Sequence, residues 1–357
     1  MPPNIINEIN SQIFPFVWGK KREWLCRTSV TQSVGQGGLS VTNLSRKLSS
    51  LHIQWVKRFL LGEDHPWKYF FRHFLRRAML AEPVERIFNQ ITIGSGTMRR
   101  LPAFYQGVVQ AWIDVKGKRT VEEWVVPGSE LTSDIPLNKL TSRAAYLRLS
   151  QLQNMPHRCI NKHPSVEWPT VWTNLSCLLF VRPALDTSWL IAHGILPTAD
   201  RLIRFKMAVH PACHCGQPES LEHLLYHCPL AQELISWLYD LMMRHLRRTP
   251  RPSVKEMLFG YSRVTNIPRG FVALLGIIRH QIWCARNKSR FEDVTPTVLD
   301  ILERIKSSFR FISRIQRRHM GLTHFAARWL VGGVLGTVDG TGSITFTQEL
   351  RSTHATQ

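Results

Sequence analysis

Apolar residues recur at helical spacing over most of the chain, and the elements follow from that period. Ile5, Ile6, Ile9, Ile13 and Phe16 predict a first helix running into Phe14-Pro15-Phe16-Val17-Trp18. Leu44, Leu48, Leu51, Trp55 and Phe59 predict one face of a helix over about residues 42–61. Between them, Gly35, Gly37 and Gly38 suit a tight turn; they lack the G-x-G-x-x-G order and βαβ setting of a dinucleotide loop. Residues 66–77 interleave Phe70, Phe71, Phe74 and Leu75 with Lys68, Arg72, Arg76 and Arg77. Two readings compete there: rings packed inward with arginines in water, or rings and arginines together forming a stacking and phosphate-contacting surface.

Residues 83–136 lose the helical period. Their Pro, Gly and β-rich runs such as Thr120–Val126 predict a linker with a small strand or hairpin. Helix returns over 137–152 through Leu140, Ala144, Leu147 and Leu152, and Trp172 and Trp189 open further amphipathic segments. Leu230, Leu234, Trp237, Leu238 and Leu241 mark another helix, and Phe271–Arg290 the next. In the last, Val298, Leu302, Ile305, Phe309 and Ile312 form the packing stripe, while Lys306, Arg310, Arg314 and Arg317 form a basic stripe on a different face. That second stripe is expected to face outward and to contact phosphates. From Gly332 the Gly/Thr/Ser-rich tail has no steady period and is expected to be weakly ordered. The fold class is therefore mainly α with a minor β hairpin region. The expected divisions are 1–82 helical, 83–136 linker, 137–250 helical, 251–320 basic helices, and 321–357 a weakly ordered tail.

Charge narrows the partners. The 357 residues carry 46 Lys and Arg against 25 Asp and Glu, a formal net charge of +21. An imbalance of this size predicts a polyanionic partner, RNA and/or DNA first among them. No stretch approaches eighteen uninterrupted apolar residues, and no secretory leader is visible, so a membrane or secreted setting is not expected. Cys26, Cys159, Cys177 and Cys284 are scattered without disulfide-like spacing, which predicts a reducing, intracellular environment, nuclear or cytoplasmic.

The remaining three cysteines supply the chemistry. Cys213, one residue, Cys215, seven residues, His223, four residues and Cys228 set out three sulfurs and one imidazole, the ligand set that tetrahedral Zn²⁺ takes in closed structural sites. Pro218, Glu219 and Ser220 read as a turn followed by a helix N-cap, which places His223 in a first helical turn. His227, one helical turn after His223, is the alternative fourth ligand to Cys228. A single structural zinc knuckle is expected, with no open coordination position for catalysis.

These residues resemble the zinc-binding domain that follows the reverse transcriptase in LINE-type (non-LTR) retrotransposon proteins. The lead-in Trp189, Ala192-His193-Gly194, Leu196-Pro197 and Arg201-Leu202 is similar to that domain's first half, and Glu219-Ser220-Leu221-Glu222-His223, Cys228-Pro229 and Trp237 to its second. One departure concerns the first two cysteines, which members commonly separate by two or three residues and which here flank only His214. Phe16-Val17-Trp18, Gly37-Gly38-Leu39, Asn43-Leu44 and Trp55 are similar to the segment just after the polymerase palm, around the thumb, and Ile282-Trp283 with Arg286-Asn287 to a downstream element. The resemblance implies a region that helps hold RNA and target DNA for target-primed reverse transcription, with a polymerase domain of the same element upstream as a partner. No Asp-Asp pair or other polymerase or endonuclease motif is present, and no residue is singled out as catalytic. The competing expectations are a zinc-ordered protein-interaction scaffold and a truncated remnant without activity.

Overall fold

The structure is a computed structural model that describes residues 3–19, 22–79, 87–88, 92–116, 125–126, 135–152, 157–179, 181–207, 209–244, 251–295 and 297–351. Two compact units emerge, one from residues 1–33 and 38–155, the other from residues 34–37 and 156–357.

The first unit contains α1 (Pro3–Val17), α2 (Arg27–Val30), α3 (Leu44–Leu61), α4 (Pro66–Met79), α5 (Ser95–Arg100), α6 (Ala103–Lys116) and α7 (Ser142–Leu152). Asn43 caps α3 by accepting from the Arg46 N–H at 3.0 Å. The predicted face of α3 holds only in part. Phe59 is buried and Trp55 packs against the core, but Leu51 is exposed, and Ser50, Ile53 and Val56 point inward. The reason is that α3 packs against both α6 and α7, and small residues line the approach: a Cβ on Gly107 would meet the His52 ring at 2.7 Å. Phe71, Leu75 and Ala78 of α4 close the core with Phe88, Val108, Val109 and Trp112, whose indole N–H donates to the Phe88 carbonyl. Of the two readings for residues 66–77, Phe71 and Leu75 follow the first and pack inward, whereas Phe70 is 64% exposed.

The predicted 83–136 linker holds more structure than its sequence suggests. Helices α5 and α6 occupy much of it, with Val108, Val109, Ala111, Trp112 and Val115 buried on α6. The adjacent apolar pairs Val108-Val109 and Ala111-Trp112 blur the 3.6-residue period over so short a helix, which is why periodicity missed it. The hairpin is present as β1 (Val125–Val126) paired antiparallel with β2 (Ile135–Pro136). Residues 120–124 of the predicted strand lie outside the described residues.

The second unit contains α8 (Arg158–Lys162), α9 (Trp168–Leu175), α10 (Arg182–Ala192), α11 (Ala199–Arg204), α12 (Pro229–Met243), α13 (Val254–Phe259), α14 (Arg269–Phe291), α15 (Val298–Arg318) and α16 (Leu322–Arg328). Helix α14 is its axis and packs against α10, α12 and α15. Its N-terminal half is buried all round, at Phe271, Ala273, Leu274, Leu275, Ile277 and Ile278, as expected for a helix enclosed by others. Gly276 admits the Leu178 side chain to a position a Cβ would contest at 2.5 Å.

The tail expected to be weakly ordered is instead folded through residue 351. Phe325, Trp329, Leu330, Leu335 and Leu350 are fully buried, and β3 (Gly336–Val338) pairs antiparallel with β4 (Ile344–Phe346). Asp339 organises the connecting turn, its carboxylate accepting from the Thr341 and Ser343 N–H groups at 2.9 Å each. Short strands and Gly-rich turns carry no long period, so the sequence signal for disorder and for this hairpin is the same.

Candidate metal centre

The lead-in to the cysteine cluster is a buried aromatic knot. Trp189 Nε1 and His193 Nε2 both donate to the Gly37 carbonyl, at 2.9 and 2.8 Å. His193 stacks on Trp172 at 5.0 Å between centroids, and Gly37, at φ +88°, lets its backbone lie against the Trp172 ring, where a Cβ would meet it at 2.6 Å. Two sequence patterns 150 residues apart thus meet in one contact. The other ring nitrogen, His193 Nδ1, lies 3.6 Å from Cys159 Sγ. Burial pushes the Cys159 thiol up to about 11 and the imidazole down to about 4. A nucleophilic pair needs the opposite, a thiolate facing an imidazolium, so this Cys–His contact joins two neutral groups.

That depressed imidazole gives a pH dependence. His193 is neutral in the folded chain and protonates near 6.5 when unfolded, so its contribution is intact above pH 6.5 and is lost as pH falls toward 4. The expected cost is roughly 3 kcal/mol by pH 4. Urea midpoints between pH 7.5 and 4.5 should fall more steeply for the parent than for His193→Gln; parallel curves would contradict this assignment.

The cluster follows α11. Ala212 bridges to Pro218, the Cys213 N–H donates to the Gln217 carbonyl at 2.7 Å, and the Gly216 N–H returns to the Cys213 carbonyl at 2.9 Å. Gly216 takes φ +86°, which permits this tight turn. The Ser220 hydroxyl oxygen then accepts from the His223 N–H at 3.0 Å, the predicted cap. Residues 223–227 form a π turn, closed by the Cys228 N–H on the His223 carbonyl at 2.8 Å. On a regular α-helix five residues turn the side chains about 140° apart. The wider i→i+5 turn brings His223 and Cys228 to the same side instead.

Cys213, Cys215, His223 and Cys228 consequently place their ligand atoms within 4.8 Å of one another. Cys215 Sγ is 3.2 Å from His223 Nε2, and Cys213 Sγ is 4.0 Å from Cys228 Sγ. Ligands at about 2.3 Å from a tetrahedral zinc stand about 3.8 Å apart, so these spacings fit one ion. His227 is exposed and outside the group. His214, the single residue between the first two cysteines, turns its ring back: Nδ1 lies 3.3 Å from Cys213 Sγ and Nε2 3.6 Å from Cys228 Sγ. The hydrogen bond from Cys228, and after it His214, hold the Cys213 thiol well below its ordinary range despite burial. The same contact pushes the Cys228 thiol up, so the pair shares one proton, which metal binding would release.

Residues 148–235 match a family described as zinc-binding in reverse transcriptase. Over this segment the chain is similar to a reverse-transcriptase zinc-binding domain. Its match covers the Trp189 lead-in and all four clustered ligands, and zinc is its metal. The chain is also 25% identical over 199 residues to a Xenopus laevis protein named "Transposon TX1 uncharacterized 149 kDa protein", an alignment that takes in 53% of this chain and 14% of that protein's length. Both findings support the resemblance to LINE-type retrotransposon reverse transcriptase proteins. What the family match covers is a zinc-binding domain, not a catalytic one. No described helix is long and apolar enough to cross a membrane.

A buried ion pair that sequence spacing could not reveal joins the zinc-binding segment to α14. Glu219, 2% exposed, accepts from Arg286 Nη2 at 2.7 Å and Nε at 2.9 Å, and from the Ala199 N–H at 2.7 Å. Arg290 Nη1 stands 3.7 Å away. Arg286 also lies over the Trp283 ring at 4.8 Å. The Glu219-Ser220 and Trp283-Arg286 matches, separate in sequence, are therefore two halves of one contact that fastens the knuckle to α14.

The predicted basic stripe of α15 is corrected. Lys306 is buried and paired with Glu303 at 2.9 Å, Arg310 donates to the Leu350 carbonyl at 2.6 Å, and Arg317 donates to the Met320 carbonyl and lies against Gly342. Of the four, only Arg314 is exposed. The folded tail covers the face expected to be open, and that follows directly from having read the tail as disordered. On α4, Arg72 sits 3.5 Å from Asp64 and over the Phe59 ring at 5.5 Å, while Arg76 and Arg77 are exposed.

Proposed function

We propose that this chain is a zinc-ordered nucleic-acid-binding module that holds RNA or target DNA for target-primed reverse transcription, performs no phosphoryl transfer itself, and works inside the cell beside a polymerase domain of the same element. The observation that carries the reading is the closed Cys₃His cluster of a reverse-transcriptase zinc-binding domain on a chain of net charge +21. Thiolate-rich four-ligand sites order a fold rather than activate water, and the surplus cations supply the affinity. Arg76 and Arg77 on α4, with Arg72 behind them, are the proposed phosphate contacts, joined by the exposed Arg314.

Binding of a single-stranded RNA by the zinc-loaded chain should weaken steeply with salt, log K falling against log salt by about 0.7 for each phosphate contact. Fluorescence anisotropy between 50 and 300 mM salt measures it. Affinity that is flat over this range, or absent at the lowest salt, sinks the reading.

A further inference from the structure

In the first unit, an open cleft of about 610 Å³ is lined by Phe74 and Arg77 of α4 and by Arg100, Leu101 and Pro102 at the end of α5. We propose that this cleft is a nucleotide-binding site for a single-stranded polynucleotide, the Arg77 and Arg100 guanidiniums taking the phosphodiester and the aromatic face of α4 taking a base. The inference rests on the nucleic-acid reading above and narrows it to one place and one kind of strand.

Charge is the first argument. Arg77 and Arg100 are exposed, and neither has an ion-pair or hydrogen-bond partner among the described residues. Cations in a last helical turn ordinarily answer the partial negative charge of the helix C-terminus, about half a charge. Here the last turn of α4 carries Arg76 and Arg77 and that of α5 carries Arg99 and Arg100. Arg76 and Arg99 already more than answer the two helix ends, and Arg77 and Arg100 border the cleft.

Shape and rings supply the second argument. The apolar wall of Phe74, Leu101 and Pro102 leaves the two guanidiniums as the polar groups of the cleft, an arrangement that orients an anion against a flat hydrophobic surface. Phe70, 64% exposed, lies one turn before Phe74 and seven residues before Arg77, roughly 10 Å of helix rise. Tyr69 beside it is 63% exposed. Exposed rings spaced along a cationic track are what unpaired bases stack on. A duplex presents paired, stacked bases and is read by an element entering a groove; a concave cleft instead accepts a nucleotide splayed out of a single strand.

The test uses the full zinc-loaded chain, a twelve-nucleotide oligouridine and a duplex of mixed sequence, with Arg77→Ala/Arg100→Ala and Phe70→Ala compared by anisotropy. Zinc content and thermal midpoint serve as folding controls; the three side chains are exposed, so both should match the parent. The double variant is expected to bind oligouridine at least tenfold more weakly, with a salt slope shallower by about 1.4, two contacts' worth for a single strand. Phe70→Ala is expected to lose about tenfold with its slope unchanged, and duplex affinity to move less than twofold in either variant. Parent-like oligouridine binding by the double variant, equal losses on single strand and duplex, or displacement of oligouridine by polyglutamate at equal charge concentration would each overturn the cleft while leaving the broader nucleic-acid reading standing. A parent chain that binds neither nucleic acid would remove both.

Discussion

Cys213→Ser and Cys228→Ser should each abolish stoichiometric zinc and cost the zinc-binding domain its largest single stabilising interaction. Apparent free energies for structural zinc in small peptides are roughly 10–16 kcal/mol, about three times what breaking the buried Glu219–Arg286 pair, the strongest other contact of the 209–228 segment, costs. Apart from the Glu219 pair, only Cys213, Leu224, Leu225 and Cys228 are buried there, while Cys215 and His223 are partly exposed and His227 is exposed. The cysteine variants are expected to lose protection of the turn and of the 223–227 π turn in hydrogen exchange, and to resemble the parent after chelation. His227→Ala should keep one zinc per chain. His214→Ala should keep it too, with affinity about tenfold weaker, because this ring lies against two ligand sulfurs rather than occupying a coordination position. Metal analysis after dialysis separates these outcomes; full zinc retention without Cys228, or loss without His227, would transfer the fourth ligand to His227.

The site was more legible than the surface around it, and the reason is local. Cys213, Cys215, His223 and Cys228 lie within sixteen positions, so their types and gaps alone nearly determine a tetrahedral geometry. What the gaps did not tell is how Cys228 reaches His223, since only the π turn makes five residues a same-side spacing. The mainly helical class was equally open to reading, because α14 and α15 are long and strongly periodic. The misread helix faces involve partners remote in sequence. Lys306, Arg310 and Arg317 carry a solvent-exposed pattern in isolation, and become covered only once Leu350 and Gly342 fold back over α15. The α3 stripe turned for the same reason, its buried side being set by α6 and α7 rather than by its own period. Asp339, whose side chain accepts from two backbone N–H groups of the turn, was the available signal for the tail hairpin.

Glu219→Gln is expected to be the most damaging single change outside the zinc ligands. The substitution preserves shape and an acceptor for the Ala199 N–H, but it leaves Arg286, whose side chain is 4% exposed, and Arg290, 15% exposed, without a counter-charge. Breaking a buried pair by removing one partner costs about 3–5 kcal/mol, most of it from the charge left behind. Arg286→Met should cost less, since Arg290 remains 3.7 Å from the carboxylate and the methionine can pack where the guanidinium lay over Trp283. The double variant Glu219→Gln/Arg286→Met should therefore be more stable than Glu219→Gln alone, a coupling of roughly 1–3 kcal/mol. Urea denaturation of the four zinc-loaded proteins measures the cycle. Because Glu219 stands between the Pro218 bridge and the Ser220 cap, zinc release by a competing chelator should quicken in Glu219→Gln and recover partly in the double variant. Strict additivity of the two substitutions, with zinc release unchanged, would show that α14 and the knuckle are held together by something other than this ion pair.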